Sequence, residues 1–172
     1  MSDSRPLLAR WRVPLGFVTA LVAIIYSAPT WRTLSTGFAV AVVGEVIRMW
    51  AAGHLEKSRE VTRSGPYRFT RHPLYLGSSF IAVGVMVAGN SVVVAIVGTV
   101  YMVATIGTAI RTEERFLRQA FGDTYGRYER SEAEPMHRRF SVERAMRNHE
   151  YRAAVGLVGG FALLALKVVV SV

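Results

Sequence analysis

Long apolar blocks separated by arginine-rich segments constrain this chain more than any other feature. Five such blocks lie at residues 13–30, 34–52, 73–89, 91–110 and 153–172. A helix needs roughly 20 apolar residues to cross a bilayer, and only helices and closed barrels satisfy their own backbone hydrogen bonds there. The sequence therefore predicts an all-α, polytopic membrane protein with about five transmembrane helices.

The distribution of positive charge predicts how those helices are oriented. Basic residues concentrate in the tail 1–12, the loop 53–72 and the region 111–152, whereas Arg32 is the only one in the opposite loops. Lysine and arginine favour the cytoplasmic side of membrane proteins. We therefore expect a cytoplasmic N-terminus. From the general composition we also expect a bacterial inner membrane. The net charge of +9 then serves orientation and contact with anionic lipids rather than nucleic acid.

The links between blocks predict which helices pair. The first two blocks are joined by a short link, and the third and fourth by the turn Gly89–Ser91, so each pair is expected to form an antiparallel hairpin. Residues 111–121 are amphipathic and either continue the fourth helix or lie at the interface, with a stop at Gly122. Lys167 interrupts the last block, so the alternative to a fifth span is a half-inserted tail.

Length and composition exclude several kinds of site. The 172 residues predict a single domain, 1–172. The chain has no cysteine, which excludes disulfides, thiolate nucleophiles and thiolate metal sites. Its four histidines show no metal-ligand spacing, so we expect no metal.

The segment Gly65–Gly77, GPYRFTRHPLYLG, leads from a basic loop into an apolar helix. His72 precedes Pro73, and this order favours an extended residue followed by the first position of a helix. Arg71 and His72 then lie at the positive end of the helix dipole, where anions bind, although they also suit a loop that merely marks the cytoplasmic face.

A pair of acidic residues, Glu113 and Glu114, follows the fourth block. Adjacent helical residues point about 100° apart, so one carboxylate can face a ligand while the other makes a structural contact. A simple surface pair between Glu114 and Arg118, four residues apart, is the alternative. If the third and fourth helices form a hairpin, these carboxylates lie beside His72 and Tyr75 in a pocket with an anion-binding side and an acidic side.

Four further polar residues are candidates for chemistry or binding. Glu45 and Arg48 lie within the second block, where charges are costly, and are candidate catalytic residues or an intrahelical ion pair. His54 and Lys57 follow that block. They are candidates for binding an acceptor head group or a cofactor carboxylate, or they anchor the helix at the interface.

Four motifs occur in a fixed order: RMWAAGHLEK at 48–57, GPYRFTRHPLYLG at 65–77, EERFL at 113–117 and FGDTYGRY at 121–128. Together they resemble the isoprenylcysteine carboxyl methyltransferase family and the related phospholipid methyltransferases. The resemblance covers about residues 45–130.

This resemblance implies an integral membrane enzyme that transfers methyl groups from S-adenosylmethionine. The acceptor would be lipophilic, with an isoprenylcysteine-like carboxylate or a lipid head group at the cytoplasmic interface. Where family members keep a cytoplasmic tail that helps to build the active site, this chain has the extra apolar helix 153–172, which leaves the acceptor open. The cofactor-binding residues implied by position are Tyr67, Arg71, His72, Tyr75, Leu76, Gly77, Glu113 and Glu114.

Two other functions remain open from the sequence. Sterol reductases have a similar Arg-His-Pro region and use NADPH, but this chain carries no recognisable nicotinamide fingerprint. A non-enzymatic lipid-binding membrane protein that keeps the same fold is the third hypothesis.

Overall fold

The described part of the chain is entirely helical. The structure, a computed structural model, describes residues 7–134 and 136–171, with side chains from residue 14 onward, and it contains no strand within those ranges. The elements in chain order are α1 (Leu7–Tyr26), α2 (Trp31–Ala52), a short 3-10 helix (Gly65–Arg68), α3 (Pro73–Gly89), α4 (Val92–Glu129), α5 (Val142–Arg147) and α6 (Tyr151–Val170).

Length and composition identify three of these helices, α2, α4 and α6, as able to cross a membrane. The apolar part of α1, Pro14–Tyr26, and the whole of α3 are shorter. Large apolar side chains recur on the outer face of α4 at Ile96, Val100 and Val103, each more than half exposed. Such a surface suits lipid rather than water. The all-α membrane architecture is confirmed, while the count of five spans and their orientation stay predictions.

The α2 and α3 helices form the closest pair because small residues line their contact. Gly37, Ala41 and Gly44 of α2 face Gly77 and Gly84 of α3. A Cβ atom built on Gly44 or on Gly77 would lie 2.5 Å from the carbonyl oxygen of the other. Such small-residue faces let backbones approach closely in membrane helices, where dispersion contacts rather than water exclusion drive association.

The predicted hairpin of α1 and α2 is wrong, because α1 packs mainly against α4 instead. The link between α1 and α2 is attached to the end of α3: the Ala28 N–H donates to the Gly89 carbonyl at 2.9 Å, and the Asn90 side chain donates to the Ala28 carbonyl at 3.1 Å. Since the small-residue face of α2 is taken by α3, the short link places α1 on the far side of α3.

The predicted continuation of the fourth span into the polar region is present. Helix α4 extends from Val92 to Glu129 and bends at Gly122, whose φ of 47° and ψ of −119° are not helical. A residue with a Cβ atom is strained at that positive φ, so glycine is required at the bend. The bend turns residues 123–129 back towards the start of α3.

The C-terminal helix α6 packs along α2. The Phe38 and Phe161 rings meet edge to face, with centroids 5.2 Å apart. Lys167 lies in the last turn of α6, and its ammonium donates to the Ile24 and Ile25 carbonyls at 2.6 and 3.0 Å. Those carbonyls belong to the C-terminal end of α1, where a cation is favourable. The lysine is therefore compatible with an inserted helix.

We expect Lys167→Met to lower the free energy of unfolding by about 1–2 kcal/mol. Hydrogen bonds to charged groups contribute about 1.5–3 kcal/mol, and the partial exposure of this side chain reduces that contribution. Tryptophan fluorescence during a temperature ramp in detergent measures the change. Lys167→Arg, which keeps the charge, is the control and should lose less. An unchanged unfolding midpoint in Lys167→Met would contradict this assignment.

Candidate functional site

A cavity of about 770 Å³ opens where the end of α2, the start of α3 and the middle of α4 meet the loop 53–64. This volume is in the range of small-molecule sites. Its wall alternates cations, carboxylates and phenols with apolar groups. The polar lining comprises Arg48, Lys57 and Arg71; Glu60, Glu113 and Glu150; Tyr67, Tyr75, Tyr125 and Tyr128; together with Ser58, Thr62, His72, Thr105, Thr108, Thr112 and Asn148.

The start of α3 and the polar part of α4 meet as the sequence predicted. Pro73 begins the helix as expected, whereas His72, with φ of −129° and ψ of 54°, is not in the extended conformation that the sequence predicted. The His72 Nε2 and Glu114 Oε1 atoms share a hydrogen bond of 3.0 Å. Glu114 lies outside the cavity lining, whereas its neighbour Glu113 is part of it. One carboxylate therefore holds the histidine and the other faces the cavity, as the 100° rotation between them requires.

An ionic network fixes Arg71 at the entrance to α3. The Glu129 Oε1 atom accepts from Arg71 Nη1 at 2.9 Å and from Arg118 Nη2 at 2.8 Å. Glu114 is farther from both arginines, at 3.8 and 3.9 Å, so the alternative of a simple Glu114–Arg118 pair is the weaker contact. The bend at Gly122 brings Glu129, from beyond the fourth span, to these two arginines.

Tyr125 and Tyr128 beyond the bend, together with Tyr67 of the 3-10 helix, form one wall of the cavity. The Tyr128 hydroxyl donates to the Tyr67 carbonyl at 2.7 Å. Tyr125 is 1% exposed, and its hydroxyl has no hydrogen-bond partner among the described residues. Burial, reinforced by the negative charge of Glu113, raises the pKa of Tyr67 well above its usual value. A raised pKa favours the neutral phenol.

The opposite wall is the loop 53–64, which a segment that we call the strap, residues 136–150, holds in place. Arg138 binds both carboxylate oxygens of Glu60, at 2.6 and 2.8 Å. Arg144 Nε donates to Glu56 Oε1 at 2.8 Å. The Asn148 side chain donates to two backbone carbonyls of the loop region at 2.9 Å. Bidentate arginine–carboxylate pairs add geometric specificity.

Some of the residues predicted from the sequence line the cavity and others do not. Arg48 and Lys57 line the cavity, as do Tyr67, Arg71, His72, Tyr75 and Glu113, whereas Glu45, His54, Leu76, Gly77 and Glu114 do not. Gly77 has a packing reason: a Cβ atom there would lie 2.6 Å from Arg48 Cγ. Leu76 is 44% exposed on the helix surface. The binding roles assigned to all of them stay predictions.

Sequence reasoning missed Glu60 and Glu150 as cavity-lining residues and Arg138 and Arg144 as residues of the strap. The region that contains the strap is strongly charged and lacks a continuous apolar face, so it carries no periodic signal of its own. Its partners lie about 80 to 90 positions earlier in the chain. No local pattern encodes such pairs.

His54 is buried behind the loop, with its Nδ1 atom 3.2 Å from the Ser64 hydroxyl. Burial lowers the pKa of His54 below its usual 6.5, and the nearby Arg144 and Arg138 lower it further. Well above about pH 6.5 this histidine is neutral in both the folded and the unfolded states. Below that pH the unfolded state takes up a proton that the folded state resists, so stability falls.

We therefore expect the unfolding midpoint to drop between pH 7.5 and pH 5.5, and His54→Gln to flatten that dependence. Thermal unfolding in detergent at the two pH values measures it. His137→Gln is the matched control, because His137 is exposed. An equal pH dependence in His54→Gln and the wild type would rule out His54 as its source.

Comparisons with known proteins place the chain in a family. The model of the family described as phospholipid methyltransferase matches residues 18–124. This chain belongs to that family. The match begins earlier than the predicted core of about 45–130 and ends shortly before Tyr125. The strap and α6 therefore lie beyond the part that the family model matches.

Three curated relatives illustrate the similarity. The cobalt-zinc-cadmium resistance protein CzcN of Cupriavidus metallidurans is 32% identical over 128 residues, or 69% of this chain and 58% of that protein. The nickel-cobalt-cadmium resistance protein NccN of Alcaligenes xylosoxydans xylosoxydans is 28% identical over 135 residues, or 72% and 62%. A probable protein-S-isoprenylcysteine O-methyltransferase of Oryza sativa subsp. indica is 33% identical over 110 residues, or 57% and 58%.

The chain thus matches only 58–62% of the length of these relatives. No solved structure matches it.

Proposed function

We propose that this chain is a membrane methyltransferase that uses S-adenosylmethionine and methylates a lipophilic acceptor at the cytoplasmic interface. The acceptor carries an isoprenylcysteine-like carboxylate or a lipid head group. The whole chain, 1–172, acts as one domain in a bacterial inner membrane, with its N-terminus in the cytoplasm. The observation that carries the proposal is the hydrogen bond between His72 and Glu114, because it joins two motifs of a methyltransferase family around one cavity.

The charges that line the cavity fit the cofactor. Lys57 and Glu113 both line it, and neither forms an ion pair with any of the described residues. A free cation and a free carboxylate suit the carboxylate and ammonium groups of an amino acid moiety. The buried hydroxyl of Tyr125 is a further polar group in this wall, and it has no hydrogen-bond partner within residues 14–134 and 136–171. Unpaired buried groups are costly unless a ligand satisfies them.

S-adenosylmethionine would supply a methyl group attached to a positively charged sulfur, which needs no further activation. The protein then has to orient the reactants and keep water out. His72 and Arg71, each fixed by a carboxylate, keep the entrance of α3 rigid. A carboxylate acceptor needs no general base, whereas an amine acceptor has to lose a proton first.

An apolar cleft of about 290 Å³ between α1, α3 and α4 suits the hydrocarbon part of the acceptor. Its wall includes Ala82, Met86 and Val97, and it shares Thr105 with the polar cavity. The two spaces therefore adjoin at the level of α4 where apolar residues give way to polar ones. This arrangement supports entry of the acceptor sideways from the bilayer.

Isothermal calorimetry with S-adenosylhomocysteine and the purified protein in detergent tests the proposal. Saturable binding supports it, and folded protein that binds none would refute it. A parallel fluorescence titration with NADPH tests the reductase alternative. A non-enzymatic lipid-binding protein would bind neither compound. Mass spectrometry of lipids from cells with and without the protein, fed a labelled methyl donor, would identify the acceptor.

Two of the relatives are named for resistance to metals. Among the residues that the structure describes, no group of three or more histidine, aspartate or glutamate side chains is placed to hold a metal ion. The described residues therefore offer no set of side chains to which a metal site could be assigned. We confine the proposal to methyl transfer.

A further inference from the structure

Arg48 reaches the cavity from within α2, and two residues outside that helix, Glu150 and Ser78, hold it there. Its Nε atom donates to Glu150 Oε1 at 2.6 Å, and its Nη1 atom donates to the Ser78 hydroxyl of α3. A guanidinium has donors on three nitrogens, and the third, Nη2, makes no hydrogen bond with the described residues. The group is thus fixed at two points and lines the cavity.

Glu150 comes from the part of the chain beyond the family match. It is 4% exposed and precedes the first residue of α6. Its backbone is fixed as well, because its N–H donates to the Ala145 carbonyl at 3.2 Å and its own carbonyl accepts from Ala153 at 2.9 Å. Because the backbone of Glu150 is fixed and its side chain is buried, the Glu150 carboxylate leaves the Arg48 guanidinium little freedom to move.

Glu45, the partner that the sequence suggested for Arg48, does not play this part. Its Oε2 atom is 3.8 Å from Arg48 Nε, and neither of its buried oxygens accepts a hydrogen bond from the described residues. The spacing of three residues on one helix brings the two charges near each other without aligning them. The directional contact comes from Glu150, 102 positions along the chain.

We propose that Glu150 is a positioning residue, which holds Arg48 so that its remaining N–H groups bind an oxygen of the acceptor head group. This inference rests on the proposed function and adds to it the group that orients the acceptor. Arg48 belongs to the membrane-embedded α2 and lines the cavity together with Thr105, the residue at which the apolar cleft adjoins. A head group whose chain occupies the cleft therefore meets Arg48.

The charge balance explains why a positioned arginine is useful here. Arg48 is matched by Glu150, and Glu45 adds a second carboxylate nearby. The cluster therefore carries no excess positive charge and does not act as a general trap for anions. It presents directional donors instead, and such donors select by geometry rather than by charge alone. Misplacing them should weaken acceptor turnover while leaving the cofactor bound.

The test compares Glu150→Gln, Glu150→Asp and Ser78→Ala with the wild type. Acceptor turnover is measured as incorporation of labelled methyl groups into N-acetyl-S-farnesylcysteine and into a total bacterial lipid extract. Cofactor affinity is measured by calorimetry with S-adenosylhomocysteine. Nitrogen-15 NMR of arginine side chains reports the Arg48 Nε–H resonance, assigned by its loss in Arg48→Lys. The matched control is Glu143→Gln, because Glu143 is exposed.

We expect Glu150→Gln to lower methyl incorporation at least tenfold, to speed exchange of the Arg48 Nε proton with water at least tenfold, and to change S-adenosylhomocysteine affinity by less than twofold. Glu150→Asp should recover part of the turnover, and Glu143→Gln should behave as the wild type. Unchanged turnover or unchanged proton exchange in Glu150→Gln would overturn the inference. So would a loss of cofactor affinity as large as the loss of turnover.

The mild variant Ser78→Ala keeps the test decisive if Glu150→Gln does not fold, because it removes the second contact of Arg48 and should both lower turnover and speed exchange of the Arg48 side-chain protons. Ser78 also lines the apolar cleft, so the proton exchange is the measurement that reports on Arg48 itself. Normal turnover in Ser78→Ala with an intact fold would count against positioning. Wild-type protein that binds no S-adenosylhomocysteine would instead overturn the proposed function, and that result is seen before any variant is compared.

Discussion

Replacing Glu113 with glutamine is expected to weaken the binding of S-adenosylhomocysteine about 10- to 100-fold. Glu113 is the carboxylate of the Glu113–Glu114 pair that lines the cavity. Its negative charge is unpaired among the described residues, so a ligand ammonium or hydroxyl group would be its partner. A hydrogen bond to a charged group contributes about 1.5–3 kcal/mol, and each 1.4 kcal/mol is a tenfold change in affinity. Calorimetry in detergent measures the change.

Glu114, the neighbouring carboxylate, provides a comparison for this prediction. Glu114→Gln removes the charge that holds His72, so it should loosen the start of α3 and weaken binding less than Glu113→Gln does. Glu134→Gln, at an exposed position of the polar region, is the control and should bind as the wild type. Equal affinities in Glu113→Gln and Glu134→Gln would show that Glu113 does not contact the cofactor.

Replacing Gly84 with alanine is expected to lower the free energy of unfolding by about 3 kcal/mol, because overpacked sites typically lose 1–3 kcal/mol. The added Cβ atom would lie 2.5 Å from the Gly37 carbonyl oxygen and 2.7 Å from the Ala41 nitrogen. Both are backbone atoms of α2, so no side chain can rotate away and the two helices have to separate. Tryptophan fluorescence during a temperature ramp in detergent should show a midpoint lower by roughly 10 °C.

Gly107→Ala is the matched control for this effect. It makes the same substitution in α4, at a glycine whose added Cβ atom would meet no heavy atom within 4 Å. Alanine is favoured over glycine inside a helix by about 0.5–1 kcal/mol, so Gly107→Ala should unfold at the same or a higher temperature. If both variants moved the midpoint equally, close packing of α2 on α3 would not be what stabilises this pair.

The local patterns of the sequence predicted several elements well. Pro73 and Gly89 bound α3 as expected, since proline begins a helix and the Gly-Asn-Ser turn ends it. The hairpin of α3 and α4 then brought His72 to Glu114, because the turn between the helices is short and their polar ends lie on the same side. The separate placement of Glu113, which lines the cavity, and Glu114, which bonds His72, also followed from the helical rotation per residue.

Long-range pairings were beyond these patterns. The link from α1 to α2 is as short as a hairpin link, yet α1 packs on α4, because small residues on α2 and α3 fit each other too closely to leave that face of α2 open. The pair of Arg48 with Glu150 was likewise hidden, since Glu45 offered a nearer partner along the chain and geometry favoured the distant one.

The sequence by itself determined that this chain is helical and suited to a membrane, and that one polar edge carries the motifs of a methyltransferase family. These properties depend on composition and on spacing within a few turns of helix. Only the tertiary structure decided which carboxylates line the cavity, which of them hold arginines, and that the strap holds the opposite wall. Those outcomes depend on packing between residues far apart in the chain. Local spacing does not distinguish the possible partners there, whereas shape and hydrogen-bond direction do.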